Sequence, residues 1–335
     1  MNSIQVQDQS EERSGRAPTV SVVMPCYNVA EYINDALESV LKQTFRDYEI
    51  LVINDGSPDT DALERVLEPH RQHIVYIKYE DNRGPSAARN AGIRAARGRY
   101  IAFLDPDDIW EPNYLDVQLG ILEGDPTIDV LYPDAVIFGD VPESGKTYME
   151  LCSSEGEVTL ESLIRQQCTV PPAVTARAEI LARAGLFDES LQSCEDFDLW
   201  IRVLDAGGRI EYHRQPLIHY RRRGGSLSSD SLWMHRHVLE VLDKTERTLK
   251  LTAAQREALA QARARYRSSL RLEEGRKAFV RGDIAEAING LTEANVYMAS
   301  RKVGMVLVFM RLAPGLLMKI YNLRDRLLFQ TSTKL

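Results

Sequence analysis

Most features that would identify a protein at a glance are missing from this chain of 335 residues. Its four cysteines, Cys26, Cys152, Cys168 and Cys194, show no CxxC spacing, and reduced thiols in a cytosolic protein are the simple reading. No apolar run approaches the ~20 residues needed to cross a bilayer; the longest, Val303 to Met310, is ended by Arg311 and Pro314. Nothing resembles a signal peptide. A basic surplus is lacking too: 41 Lys and Arg face 49 Asp and Glu, a net charge of −8, which argues against nucleic acid as a partner. What is there is a hydrophobic content of 44% with only 20 Gly and 14 Pro, the make-up of a globular protein. The charge is uneven, however, since Arg301 to Leu335 holds seven Lys or Arg against one acid, Asp325.

Met1 to Ala17 is polar and unpatterned and is expected to be a disordered tail. An alternation then begins. "TVSVVMPCYN", "YEILVINDGS", "HIVYIKYE" and "YIAFLD" are β-branched and apolar and read as buried strands. "EYINDALESVLKQT", Asp59 to Leu67, "SAARNAGIRAAR" with Ser86 as N-cap, and Pro112 to Leu122 read as the helices between and after them. This predicts an α/β fold, a mostly parallel sheet with helices on both faces. After Asp129 the pattern loosens into the strand "DVLYPDAVIFG", the helix "TLESLIRQQ" and a strand–helix pair in "PPAVTARAEILARAG". "CEDFDLWIRVLDAGG" follows, with Phe197, Trp200, Ile201 and Leu204 on one helical face, and then the strand "RIEYHRQPLIHYRRR". From Ser231 onward the pattern is helical, and "LRLEEGRKAFVRGDIAEAINGLTEA" resembles one tetratricopeptide-like hairpin, too little for a repeat array.

Polar residues collect beyond the strand ends, where ligands sit in open parallel sheets: Tyr27 and Asn28, Asp55, and Asp105 to Asp108. At about 5 Å and an effective dielectric of about 20, each close carboxylate pair repels by roughly 3 kcal/mol. Such a knot suits a cation, and Asp105 and Asp107 can both reach one Mg2+ or Mn2+; the alternative is a solvated turn capping the next helix. A dehalogenase-like phosphatase also carries DxD after a strand, but normally after the first. "NDGSPDT" is a tight turn whose Asp55 can accept from a nucleobase imide, with Tyr27 placed to stack on the base; alone it is weak evidence. "GPSAARNAG" matches neither a Walker loop nor GxGxxG. Its small residues let a helix lie close to the sheet, and Arg89 and Asn90 are its anomalies, either functional or paired at the helix surface.

In this order, "VSVVMPCYN", "ILVINDGSPDT", "GPSAARNAG", "YIAFLDPDDIWEP" and "CEDFDLWIR" resemble the family 2 glycosyltransferases over Thr19 to about Ser228. The resemblance implies the Rossmann-like GT-A fold, an inverting reaction, a nucleoside-diphosphate sugar donor (a UDP-sugar first) and Mg2+ or Mn2+. It implies that Pro25, Tyr27 and Asp55 line the nucleobase pocket, with Arg83, Gly84 and Arg89 on the nucleotide side. Asp105 is implied to face the ribose and the metal, and Asp107 to ligate it. Glu195 and Asp196 match the family's acidic pair, with Asp196 as catalytic base, expected to stay ionised at its helix N-terminus. One departure stands out. Where family members often carry a His near the diphosphate, this chain has Arg223, expected either to pair with phosphate or to belong to a solvated basic edge spanning Arg221 to Arg223; His219 lies four residues earlier.

The expected organisation is a tail at 1–17, a glycosyltransferase domain at 18–230 and a helical region at 231–335. The domain is expected to have a nucleotide half at 18–128 and an acceptor half at 129–230. Residues 302–329 suit helices lying at an anionic membrane surface, or equally a packing or dimerisation helix. The expected partners are the nucleotide sugar and a hydroxyl acceptor, a lipid-linked glycan by family analogy. The expected location is the cytoplasm, at the inner face of the cell membrane if the helices bind lipid. Rival readings are a phosphatase or phosphotransferase using the acidic rim, and a non-catalytic sugar-nucleotide scaffold.

Overall fold

The computed structural model describes residues 5–7, 15–222 and 231–320. The chain divides into two compact units, Met1–Ser229 and Asp230–Leu335.

The first unit is built on four strands that run parallel: β2 (Val20–Cys26), β3 (Tyr48–Asp55), β4 (Ile74–Tyr79) and β5 (Tyr100–Phe103). Their side chains alternate between two covered faces. Val20, Val22 and Met24 of β2 join Ile50 and Val52 of β3 in a core with Ile33 and Leu37 of helix α1 (Ile33–Leu41) and Leu63 of α2 (Thr60–Leu67). The opposite face carries α3 (Pro85–Ala95), where a Cβ on Gly92 would come within 2.4 Å of a Val23 methyl. The small residues of "GPSAARNAG" are therefore a close-packing device. Ser86 is not the N-cap: Gly84 holds that position and Ser86 is buried in the first turn.

A short edge strand β1 (Gln5–Gln7) pairs antiparallel with β4, so these three residues depart from the expected disordered tail. The outer strand of a sheet presents unpaired N–H and C=O groups, which a short extended segment satisfies. On the other side β8 (Thr175–Arg177) lies antiparallel between β5 and β7 (Val130–Phe138). β7 pairs in parallel with β9 (Ile210–Arg221), and β6 (Ile109–Trp110) closes the sheet antiparallel on β9. The order is β1-β4-β3-β2-β5-β8-β7-β9-β6. The long pairings are parallel, and the antiparallel strands are short.

Helix α4 (Tyr114–Gly124) starts at an Asn113 cap. The short α5 (Tyr148–Leu151) and α6 (Leu160–Ile164) are each opened by a threonine capping box, at Thr147 and Thr159. α7 (Ala178–Arg183) follows β8 directly. α8 (Glu195–Asp205) buries Leu199, Trp200, Ile201 and Val203. The buried stripe therefore centres one position away from the expected face, and Phe197 and Leu204 are only half-buried.

The second unit is helical: α9 (Ser231–Thr248), α10 (Ala253–Val280), α11 (Ile284–Met298) and α12 (Arg301–Leu312). The hairpin-like segment forms the end of α10 and α11, which close over Ala278, Phe279, Ala287 and Leu291 together with Leu307 and Met310 of α12. Among the described residues, no helix is long and apolar enough to cross a membrane.

Candidate active site

The carboxyl ends of β2, β3 and β5 converge on one rim. Pro25 lies in β2 opposite Ile53, one residue beyond Met24 and two beyond the last β2–β5 pair, Val23 with Phe103, so its missing N–H breaks no bond on that side. Tyr27 follows and is 48% exposed, a ring face open at the rim. The chain beyond it is tied to the second strand's loop. Asn28 N–H donates to Ser57 Oγ at 2.7 Å, and Ala30 N–H donates to Asp59 Oδ2 at 2.8 Å. Ser57 in turn donates to Asp59 Oδ1. Gly56 has φ +59°, and a Cβ there would lie 2.3 Å from the Asp81 carbonyl carbon. Only glycine allows that turn.

Asp55 is 2% exposed and organises the loop before α3. Its two oxygens accept from the N–H groups of Arg83 and Gly84, at 2.9 and 2.8 Å. Burial raises its pKa, and those two N–H bonds and the Arg83 charge oppose the rise. The expected role was acceptance from a nucleobase; within the chain, Asp55 first shapes the Arg83–Gly84 loop beside that position. A carboxylate has about four acceptor sites, so two bonds do not exhaust it. The Arg83 guanidinium lies over the Tyr79 ring, 4.9 Å from its centroid.

The DPDD turn is closed by Asp108 N–H donating to Asp105 C=O at 3.0 Å. Its three carboxylates have different surroundings: Asp105 and Asp107 are half-buried, whereas Asp108 is buried. Desolvation pushes the Asp108 carboxyl well above the ordinary range, and the charges of Asp107 and Asp105 push it further. Asp108 Oδ1 accepts from Arg221 N–H at 2.8 Å, and Arg221 Nε donates to the Asp107 carbonyl at 2.8 Å. The Arg221 guanidinium also lies 4.4 Å from the Phe138 ring centroid and 4.9 Å from that of Tyr32. Arg221 is therefore not part of a solvated basic edge; it clamps the acidic turn from β9. His219 is taken up elsewhere, with Nε2 at 2.7 Å from Glu111 Oε1. Arg223 lies outside the described residues.

Arg89 differs most from expectation. It is 5% exposed, set in α3 beneath the rim rather than turned outward to a nucleotide. Nη2 donates to Asp105 Oδ1 at 2.9 Å and Nη1 to Glu195 Oε1 at 2.6 Å. One buried cation thus pairs with two acids, both of which would otherwise lack a counter-charge, and offsets the charge of one of them. Beside it, Asn90 donates to Phe187 C=O and accepts from Phe187 N–H, each at 2.9 Å, fixing the segment that leads to α8. Both anomalies of the Ala-rich helix join parts of the chain about a hundred residues apart.

Asp196 is the second residue of α8, which starts from Cys194 in the left-handed region at φ 57°. Its Oδ1 accepts from Phe197 N–H at 2.8 Å. A helix N-terminus alone favours ionisation, but burial dominates and the neighbouring Glu195 charge adds to it, raising the Asp196 pKa to about 7. Desolvation works against the expectation that Asp196 stays ionised at its helix N-terminus. Tyr148 is close enough for the Asp196 charge to raise its hydroxyl pKa, behind burial and its neighbours Cys152 and Tyr220. Cys26 was given no role by the sequence. Burial raises its thiol, and Asp59 of the loop after β3 and Asp105 and Asp107 of the turn after β5 add to the shift.

The donor chemistry fits a hard cation. Asp105 and Asp107 present carboxylate oxygens from one turn, and their charges add to burial in raising the Asp108 carboxyl. Among the described residues no three acidic, His or Cys side chains form a cage; Mg2+ is commonly held by one or two carboxylates, with substrate phosphates and water completing the shell.

Comparison with known proteins bears on the family and the fold. The family described as "Glycosyl transferase family 2" matches residues 21–176. An uncharacterized glycosyltransferase of Methanocaldococcus jannaschii is 32% identical over 210 residues, covering 61% of this chain and 71% of its own length. Staphylococcus aureus TarS, residues 1–349, solved in complex with UDP-GlcNAc, superposes with a TM-score of 0.62 at 20% identity, covering 88% of this chain and 87% of that one. Pyrobaculum calidifontis mannosyltransferase PcManGT, solved with GDP-Man and Mn2+, superposes with a TM-score of 0.61 at 18% identity, covering 96% and 87%. The chain therefore belongs to glycosyl transferase family 2, and it is a glycosyltransferase with the GT-A fold.

Proposed function

We propose that this glycosyltransferase moves a sugar from a nucleoside-diphosphate sugar, a UDP-sugar first, to a hydroxyl of a cell-surface polysaccharide or glycoconjugate, with inversion at the anomeric carbon. The observation that carries the reading is the Arg89 bridge: it holds Asp105 of the acidic turn and Glu195, next to Asp196, on a single guanidinium. This supports a reading in which a hold on the diphosphate and a base, which the reaction needs side by side, come from neighbouring elements. The donor class is supported by the TarS complex with UDP-GlcNAc and the PcManGT complex with GDP-Man and Mn2+.

In this reading the Tyr27 ring stacks on the base, and Asp55 with the Arg83–Gly84 loop borders it. Asp105 and Asp107 hold Mg2+ or Mn2+, which when bound offsets the charge of the departing diphosphate. Arg221 keeps the acidic turn in place. Asp196 takes the proton of the acceptor hydroxyl as it attacks from the face opposite the diphosphate, and one displacement inverts the centre. A base with a pKa near 7 combines adequate basicity with a substantial ionised fraction at neutral pH. Glu195, occupied by Arg89, positions Asp196 rather than accepting the proton.

The test is a screen of nucleotide sugars with Mn2+, first for acceptor-free hydrolysis and then for transfer, with the product's anomeric configuration read by NMR. Release of nucleoside diphosphate and an inverted linkage are expected. A retained configuration, or activity unaffected by chelator, overturns the corresponding assignment.

A further inference from the structure

We propose that the exposed face of α12 docks on an anionic lipid surface. From Arg301 to Ile320 the chain contains four cations, Arg301, Lys302, Arg311 and Lys319, and no acid. On α12 two apolar faces stand back to back. Leu307 and Met310, with the partly buried Val303 and Val306, pack into the core of the helical unit. Met305, Val308, Phe309 and Leu312 point the other way and are 53 to 79% exposed. At 3.6 residues per turn these four fall within an arc of roughly 100°, the width of a buried helical stripe. Leu316 and Ile320 continue the exposed apolar set beyond α12.

The exposed side chains are long and apolar, and such contiguous patches mark interaction sites. The charge pattern selects the partner. By the same helical geometry, Arg301 lies within the apolar arc at its start, and Lys302 and Arg311 lie at its two borders. Long cationic side chains at the border of an apolar helical face reach phosphate headgroups while the face enters the acyl boundary. A second copy of this surface would bring four cations against four, and an isologous contact offers them no acids from Arg301 to Ile320. With no helix among the described residues able to cross a bilayer, the contact is one of lying on the surface. It stands apart from the identity of the donor and acceptor.

The experiment uses the full chain and vesicles of phosphatidylcholine alone or mixed in equal parts with phosphatidylglycerol. Sedimentation with the mixed vesicles is expected, with weak binding to the neutral ones and loss at high salt. Phe309→Asp with Leu312→Asp should lower the partition coefficient by about ten-fold or more. Replacing the four cations by Gln should lower it by about five-fold per charge at low salt. Phe309→Leu should retain binding, and unfolding midpoints of all variants should match the parent because the altered groups are exposed. Equal binding by the double-Asp variant, or no binding by the parent, overturns the proposal. So does a concentration-dependent dimer that the double-Asp variant abolishes while vesicle binding persists.

Discussion

Arg89 Nη1 lies 2.6 Å from Glu195 Oε1, across 106 residues of chain, while the same guanidinium holds Asp105. This contact couples the order of the acidic turn to that of the helix bearing Asp196. Removing one partner of a buried ion pair leaves the other charge uncompensated, typically at a cost of about 3–5 kcal/mol. Arg89→Ala should lose stability of that order in denaturant unfolding, together with most transfer activity. Arg89→Lys keeps the charge but not the two-pronged geometry, so it should recover much of the stability and little of the turnover. Full turnover in Arg89→Lys contradicts the bridging role.

Asp107→Asn should abolish metal-dependent turnover without altering the unfolding midpoint, because the side chain sits on a half-buried turn rather than in the core. Titrating Mn2+ against donor hydrolysis is the check. Asp108→Asn should by contrast be nearly silent. Its carboxyl is already driven toward the neutral form by burial and by Asp107 and Asp105, and an amide oxygen still accepts from Arg221 N–H.

Arg221→Ala should raise the Mn2+ concentration for half-maximal activity by about ten-fold, the size of one lost charge-assisted hydrogen bond, with a smaller change in donor KM. The split matters because Arg221 touches the turn backbone and Asp108, not the assigned nucleotide pocket. A loss of stability with unchanged metal dependence would reduce Arg221 to a packing residue.

Asp55→Ala should weaken nucleoside diphosphate binding by about ten-fold, by releasing the Arg83–Gly84 loop from two hydrogen bonds that are each worth about 1 kcal/mol or more. The rate of the chemical step should change less. Calorimetric titration against single-turnover transfer separates the two.

Asp196 carries the pH dependence. A base works only when ionised, so with a pKa of about 7 the transfer rate should rise tenfold per pH unit below that value and level off above it. Asp196→Asn should cut transfer by about 10²- to 10⁴-fold and remove this limb, with donor affinity kept. Stability should move the opposite way. The folded pKa is raised from 3.8 to about 7, so the folded state binds this proton more tightly. The favourable term is present in acid and is lost as pH rises across that window. Asp196→Asn should therefore gain stability relative to the parent above pH 7 and not in acid. Near-normal transfer by this variant refutes the base assignment.

The alternation of apolar strands and amphipathic helices determined β2 to β5 and their helices, because a strand buried on both faces, such as Val20–Cys26, has little choice of residue type. The acidic turn after β5 was equally legible, since charge directly behind a buried strand is conspicuous in any window. What only the tertiary structure decided are pairings across long stretches of chain. Nothing local in "SAARNAG" shows that Arg89 joins Asp105 to Glu195, or that Asn90 closes on Phe187. Nothing local in "HYRRR" shows that Arg221 clamps Asp107 and Asp108 from β9. The ionisation of Asp196 belongs to the same class. Its position at a helix start is written in the sequence, but its desolvation comes from residues that folding brings around it, and burial outweighs the local dipole.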